Sequence, residues 1–449
     1  MEEKHIIAIE TGSSKIKGAV GVVDGTGVIS IKAVEEQPLI DCVRHGQLIN
    51  IVSTSNATKQ ILKKIENRVS PRKVQGVYVS VGGRSVMSYR REVERRLMPE
   101  TEITSSLIDQ LKNETFSAGI PGREVLAVIP EQYIVDNKKV ENPIGVYGTD
   151  IKMVSNIIAC RPQLKRNLDL LVTDKMGLRI EGYVVRQLAE ADIVLTSEEK
   201  RLGCMLVDFG AETVTVSIYK HGVLQYLVTI PIGSRHITRD ITTLNYLEED
   251  AETIKKQRGK AKKTSGGTIE DIEFADVNNL IRHRAAEIIA NIKQQLKPDE
   301  KIGYTGFSES ELPSGIIIIG RGAKLAEFNE KLAESMQMNV RSGSLITPAV
   351  RITDGRIHPS DSIDVISIIY GAVEQGAVDC LTPKPVEVPV EVEDDFEDIP
   401  EDEDDTGSTI GKGRSSFWKG VGSKLAGIKK ILEEPDENDD DFIDDDENA

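Results

Sequence analysis

One pattern occurs twice in this chain, and it constrains the fold more than any other feature. HIIAIE, residues 5–10, is a short apolar run that reads as a buried strand. The small residues TGSSK turn the chain, and IKGAVGVVDGTGVISIKAVEE, residues 16–36, reads as a hairpin and a third strand, with Asp24-Gly25 as the turn signal. Much later LGCMLVDFG, residues 202–210, is again a buried strand, AETV a turn, and TVSIYKHGVLQYLVTIPIG, residues 215–233, a hairpin. Two unrelated β-rich stretches can look alike on pattern alone. The other explanation is one α/β unit duplicated within the chain, with a cleft between the halves.

The pieces between these units suit an α/β fold. STSNATKQILKKIENRVS, residues 53–70, reads as an amphipathic helix with Ser or Thr caps, and VQGVYVSVGG, residues 74–83, as a strand ending in two glycines. Residues 246–263 read as a helix that is basic at its end. SGIIIIGRGAKLAEF, residues 314–328, reads as a buried strand, a glycine turn and then a helix. Such a junction offers backbone N–H groups and a helix N-terminus to a phosphate, although many strand–helix connections share the pattern. Cys42, Cys160, Cys204 and Cys380 form no CxxC pair or zinc spacing and read as free thiols in a reducing compartment. MEEKHIIAIE does not read as a signal peptide. No apolar run is long enough to span a bilayer, which takes about 18 residues.

The net charge of −17 is unevenly placed. Residues 381–410 carry −11, residues 411–432 carry +6 with no acid, and residues 433–449 carry −11, so the body is close to neutral. The acidic stretches read as a solvated, disordered linker and tail. No basic surface argues for nucleic acid. The basic island between them holds the only tryptophan, Trp418. On a helical wheel Phe417, Trp418, Val421, Leu425, Ile428, Ile431 and Leu432 share an arc of roughly 140°. Lys419, Ser423 and Lys430 lie opposite, while Lys424 must snorkel. This is the pattern of a helix lying in an anionic membrane interface. Docking on the chain's own body or in a partner groove is the other reading. The acidic tail beyond it should be repelled by the same surface.

Taken together, IAIETGSSKIKG (residues 7–18), VDFGAETVTV (207–216) and IIGRGAKL (318–325) resemble the two phosphate loops and the adenosine loop of the actin/Hsp70/hexokinase superfamily. Within it the chain is similar to the FtsA family of cell-division proteins. The segments that carry this are residues 128–159, TIPIGSRHITRDI with AETIK and GKA (229–261), and VLTSEEKRLG (194–203). The resemblance implies an actin-like fold of two duplicated lobes with an FtsA-type inserted subdomain. The expected layout is a first lobe core over residues 1–83, the insertion over 84–162, and a second lobe over 163–380 that returns to the first near 360–380. An acidic linker (381–410), an amphipathic membrane-targeting helix (411–432) and an acidic tail (433–449) complete it.

The resemblance also implies a site for ATP with Mg. Gly12, Ser13 and Lys15 match the first loop; Asp208, Gly210 and Thr213 the second; Glu252 and Lys255 a pair near the ribose; Gly320 and Gly322 the adenosine loop. Glu10 and Asp208 would hold the metal through water. Glu10, Gln187 and Glu190 are the candidates for work on an attacking water, though the last two equally read as ordinary polar helix residues. The chain departs from the family at this cleft. Glu10 stands for an aspartate, Ala211 and Glu212 for two glycines of DxGGGT, and Ser234 and Arg321 for further glycines. A carboxylate at residue 212 is expected to face the terminal phosphate, with a repulsion of about 4 kcal/mol at ~4 Å in an effective dielectric of ~20. Together these predict an altered site with slow or lost hydrolysis.

The function implied is a cell-division adaptor that polymerises like actin, sits on the inner face of the cytoplasmic membrane at the septum, tethers the FtsZ ring and meets downstream division proteins. Two alternatives remain from the sequence, an actin-like scaffold of type IV pilus assembly and a small-molecule kinase of the same superfamily.

Overall fold

The computed structural model describes residues 3–262 and 274–383. The expectations for the linker, for the helix carrying Phe417, Trp418, Val421, Leu425, Ile428, Ile431 and Leu432, and for the acidic tail lie outside the described residues.

The first repeat opens as read. Strand β1 (Lys4–Thr11) runs antiparallel to β2 (Lys15–Val23), and β2 to β3 (Ile29–Pro38). Asp24 makes the turn: its Oδ1 accepts from the backbone N–H groups of Thr26 and Val28 at 2.8 and 3.1 Å. Gly27 supplies the left-handed residue, with φ 84°. A short hairpin, β4 (Val43–Arg44) with β5 (Gln47–Leu48), leads into α1 (Ile51–Val69). That helix begins ahead of the serine and threonine caps expected for it, because the Asn50 side chain accepts from the Ser53 N–H. Its apolar face, with Ile61, Leu62 and Ile65, is buried. Strand β6 (Gly76–Val81) then pairs parallel with β1.

An inserted unit follows, made of β7 (Met87–Glu102), α2 (Ser105–Ala118), β8 (Glu124–Val135), β9 (Lys138–Val140) and β10 (Tyr147–Cys160). It has its own small core of Ile103, Ile108, Leu111, Val135, Ile151 and Met153. After α3 (Pro162–Asp169) come β11 (Arg179–Val185), α4 (Arg186–Val194) and α5 (Ser197–Leu202). The second repeat is β12 (Cys204–Phe209), β13 (Val214–Lys220) and β14 (Val223–Ile230), then α6 (Ser234–Thr242), α7 (Glu248–Arg258) and α8 (Ala275–Gln294). Strand β15 (Ile316–Ile319), α9 (Phe328–Met336), β16 (Val340–Ser342), β17 (Val350–Ile352) and α10 (Pro359–Glu374) close the described chain.

The sheet orders show the duplication. The first sheet runs β11-β6-β1-β2-β3-β17, and the second begins β16-β15-β12-β13-β14. In each, the opening strand pairs antiparallel with its hairpin and parallel with a later strand, which pairs parallel with a further one. The inserted strands extend the second sheet as β7-β10-β8-β9, joined where Met87 of β7 meets Val228 of β14.

The lobe boundaries differ from those expected. Residues 179–185 do not start a second lobe at 163; β11 pairs parallel with β6 in the first sheet. A parallel pair needs a long crossover, so the chain returns to its first sheet before crossing to the second. The final return also starts earlier than residue 360, because β17 already pairs with β3. Helix α10 covers this sheet with Ile363, Val365, Ile366, Ile368 and Ile369, and Leu206, Ile317 and Ile319 of the second sheet belong to the same apolar cluster. All four cysteines are free and buried. Among the described residues no helix is long and apolar enough to cross a membrane.

Candidate functional site

Each repeat builds the same turn. The Gly12 N–H donates to the Lys15 carbonyl at 3.0 Å, and the Gly210 N–H to the Thr213 carbonyl at 2.9 Å. A Cβ at Gly12 would stand 2.8 Å from that carbonyl, and one at Gly210 would stand 3.0 Å from its counterpart. Both loops favour glycine for the same reason, Gly12 more strictly than Gly210: the backbone folds back on itself. They face each other across one cleft, whose lining includes Glu10, Gly12, Ser13, Lys15, Glu190, Asp208, Gly210, Thr213 and Gly320.

Gln187, Glu252, Lys255 and Gly322 do not line that cleft. Gln187 is buried, with neither amide atom hydrogen-bonded. Lys255 is buried against α6, where Nζ donates to the Ser234 carbonyl at 3.0 Å, the Thr238 hydroxyl at 2.8 Å and Glu252 at 2.6 Å. Burial lowers the Lys255 pKa, and Glu252 opposes that. The pair thus ties α7 to α6. Gly322 serves packing, since a Cβ there would stand 2.6 Å from the Phe209 ring. Gly320, at φ 88°, leaves only 2.4 Å between its Cβ position and the Phe209 carbonyl. The helix expected directly after this loop starts only at Phe328; a 3-10 turn, Arg321–Lys324, intervenes, so no α-helix N-terminus faces the glycines.

The floor of the cleft is charged, and its centre is a residue that sequence reading missed. Arg186, first residue of α4, donates from Nη1 to Glu190 at 2.9 Å and from Nη2 to Asp208 at 2.8 Å. Burial works against its charge, but Glu190, Asp208, Glu10 and Asp364 outweigh that and raise its pKa. Lys17 pairs with Asp364 and donates to the Asp361 carbonyl at 2.7 Å. Burial, then Asp364, pushes Glu10 up to about 7, against the pull of Arg186 and Lys17. Burial also pushes Glu190 well up. The one available signal was position: Arg186 directly follows a strand, and Asp364 stands among the buried apolar residues Ile363, Val365 and Ile366 of its helix.

Four carboxylates, Glu10, Glu190, Asp208 and Asp364, meet only two cations here, Arg186 and Lys17, so the charge of the cluster suits a divalent metal held through water by Glu10 and Asp208. One oxygen each of Asp208 and Glu190 is engaged by the guanidinium and Lys17 engages Asp364, while the second Glu190 oxygen is buried without a hydrogen-bond partner. Among the described residues no group of three His, Cys, Asp or Glu side chains is arranged to hold a metal ion.

A pH dependence follows from Glu10. Its folded pKa, about 7, lies above its ordinary 4.5, so the folded state binds the proton more tightly. That contribution is complete below pH ~4.5 and is lost as pH rises through ~7. Glu10→Gln, which mimics the protonated form, is expected to leave stability near pH 4.5 almost unchanged and to raise it at pH 8 by up to about 3 kcal/mol. Denaturant melts at the two pH values check this, and an equal effect at both would count against it.

The departures at the cleft have partners. Glu212 does not face the space between the loops. It is buried, with Oε1 accepting from Arg235 at 3.0 Å and Oε2 from the His45 backbone N–H at 2.9 Å, while Arg239 lies 3.7 Å away. The expected repulsion of a terminal phosphate by this carboxylate is therefore withdrawn. Its side chain turns toward α6 and toward the β4–β5 hairpin of the other lobe, where two arginine charges and a backbone donor satisfy it. Arg321 likewise reaches across the cleft and donates to Glu36 at 2.6 Å. Ser234 and Arg235, at the start of α6, donate their N–H groups to the Gly210 and Ala211 carbonyls at 3.0 and 2.7 Å.

Two duplicated lobes, matched glycine loops across a cleft and an inserted α/β unit on the second sheet define an actin-like protein. Residues 205–360 match the family described as cell division protein FtsA, and residues 83–159 match the SHS2 domain inserted in FtsA. The cell division protein FtsA of Porphyromonas gingivalis is 30% identical over 372 residues, covering 80% of this chain and 74% of that one. The FtsA of Pseudomonas aeruginosa is 26% identical over 383 residues, covering 83% and 90%. The chain belongs to the FtsA family of cell-division proteins. Among solved structures, a PilM–PilN type IV pilus biogenesis complex matches with a TM-score of 0.57 and 16% identity, over 82% of this chain and 98% of that one. That likeness shows the fold alone, and neither the pilus nor the kinase reading is favoured by these relatives.

Proposed function

We propose that this protein is a membrane-seated actin-like adaptor of division, which self-associates through its lobes, carries the FtsZ ring on the cytoplasmic face of the membrane at the septum and meets downstream division proteins there. The observation that carries this reading is the match to FtsA over both the body and the inserted subdomain. The amphipathic pattern of residues 411–432 supports attachment to an anionic surface. The paired glycine turns support an adenine nucleotide in the cleft, since both present backbone near the same space. Hydrolysis would be slow or lost: Gln187 does not line the cleft and Glu190 is engaged by Arg186.

Truncation after residue 410 tests the membrane part. The shortened protein is expected to melt like the full chain, to leave anionic vesicles on sedimentation and to lose its place at the septum. Retention on vesicles would sink the attachment reading. In the same samples, failure to co-sediment with FtsZ filaments, with the body folded, would sink the tethering reading.

A further inference from the structure

We propose that a second cavity, beside the cleft, binds a compact phosphoanion such as pyrophosphate, gripped by Arg44, Arg84, Arg123 and Arg161. The cavity holds about 310 Å³, at the small end of the ~300–1,000 Å³ typical of ligand pockets. Four chain segments bring one arginine each. Arg44 comes from β4, Arg84 from the link between β6 and β7, Arg123 from just before β8, and Arg161 from just before α3. None of the residues lining the cavity is acidic. Among the described residues, none of these four arginines forms an ion pair. Arg123 is held instead by the Ser85 carbonyl at 3.2 Å and by the Tyr89 ring, 5.9 Å from its guanidinium. His45 also lines the cavity and donates its N–H to Glu212, but the other oxygen of that carboxylate is taken by Arg235.

The backbone forces this gathering of like charges. The Arg84 N–H donates to the His45 carbonyl at 2.9 Å, and a Cβ at Gly46 would stand 2.4 Å from the Gly83 Cα. The loops that carry Arg44 and Arg84 are therefore in main-chain contact. Helix α3 begins at the same place, since Arg161 and Leu164 both line the cavity. Its first turn has no acidic residue and no side-chain cap, so the positive end of the helix adds to the arginines. Four unpaired guanidinium groups repel one another, and a multivalent anion between them reverses the sign of that interaction. Each guanidinium presents a planar fork of N–H donors that matches phosphate oxygens, which favours a phosphoanion. None of the four arginines lines the cleft, so the inference does not rest on the nucleotide reading. The two spaces do share Gly46, Gly82 and Leu164 as a common wall.

Calorimetric titration of the full chain with sodium pyrophosphate tests the proposal, in about 0.15 M NaCl, where exposed charges are screened beyond ~8 Å. Wild type is expected to bind saturably, and to keep doing so with the cleft saturated by ADP. The double variant Arg84→Gln, Arg161→Gln should lose at least about tenfold in pyrophosphate affinity, with ADP affinity within about threefold of wild type. Lysines at both positions keep the charge without the fork and should fall between. Thermal melts establish folding, and the glutamine variant is expected to melt no lower than wild type, since it relieves repulsion. Should it not fold, Arg44→Gln, at an exposed side chain of the same cavity, decides by a loss of about threefold or more. Four results would each overturn the proposal. Wild type fails to bind saturably at this salt; the folded glutamine variants bind as tightly as wild type; ADP displaces pyrophosphate, which places it in the cleft; or ADP affinity falls as far as pyrophosphate affinity, which makes the arginines a field on the cleft. If ADP does not bind at all, the nucleotide reading falls and the pyrophosphate titrations alone decide.

Discussion

Replacing Glu212 by alanine is expected to cost the folded protein about 3 kcal/mol, the lower end of the range for removing one partner of a buried ion pair. The carboxylate is only 2% exposed and holds Arg235 at 3.0 Å. Its second oxygen accepts the His45 N–H from the opposite lobe. Without it, Arg235 keeps one distant partner, Glu248 at 3.6 Å, and the His45 N–H loses its acceptor. The more distant partner and the remaining exposure of Arg235 place the cost at the lower end of that range. With an unfolding entropy of about 2.1 cal/mol/K per residue, a body of this size should then melt roughly 4 °C lower. Glu212→Gln, which can still accept from His45, should fall between alanine and wild type. Glu212→Gly should not tighten ATP, because the carboxylate does not face the cleft. Urea melts of the three variants decide the matter: an alanine variant within about 0.5 kcal/mol of wild type, the usual range for a surface change, would show that this bridge is not made.

The same residue shows where sequence reading stops. The glycine loops were legible because their constraint is local: a turn that donates from Gly12 to Lys15 leaves no room for a Cβ, and the same turn at Gly210 leaves a tight one. Strand order was partly legible, since an apolar run followed by a tight turn and a hairpin permits few arrangements. The charges were not. Whether Glu212 faces the space between the loops or turns toward Arg235 and His45 depends on partners 23 and 167 residues away. Arg321 meets Glu36 across 285 residues, and Lys17 meets Asp364 across 347. No local pattern encodes such pairs. The lobe boundary failed for a related reason: parallel pairing of β11 with β6 is a crossover, and a single sequence carries no mark of where a crossover ends.

Two further consequences join at this cleft. Family glycines replaced by Glu212 and Arg321 pointed, in sequence, to an altered nucleotide site. In the structure both side chains reach from the second lobe to the first, as does the Arg186–Asp208 pair in the opposite direction. Lobes that meet through their own side chains need less from a ligand to stay together. The substitutions therefore change what holds the cleft.

The largest effect is expected outside the body. Changing Phe417 and Trp418 together to glutamate should release the protein from anionic vesicles by more than 100-fold in partition. Burying a large apolar side chain contributes about 1.5–3 kcal/mol, so losing two removes roughly 3–6 kcal/mol. On the helical wheel Phe417 lies near the centre of the apolar arc and Trp418 at its edge, so under the proposed attachment the pair would start the face that enters the lipid. The segment has little to spare, because Gly420, Gly422 and Gly427 each disfavour the helix by about 1 kcal/mol. The new carboxylates would also meet anionic head groups that the six basic residues otherwise attract. Changing both to leucine keeps most of the apolar area and should preserve binding, which separates loss of burial from loss of an aromatic contact. Raising the salt should weaken wild-type binding only in part, since the lysine attraction is screened and the apolar insertion is not. Vesicle sedimentation unchanged by the glutamate pair would mean that this face does not enter the bilayer, and a protein groove would become its better destination.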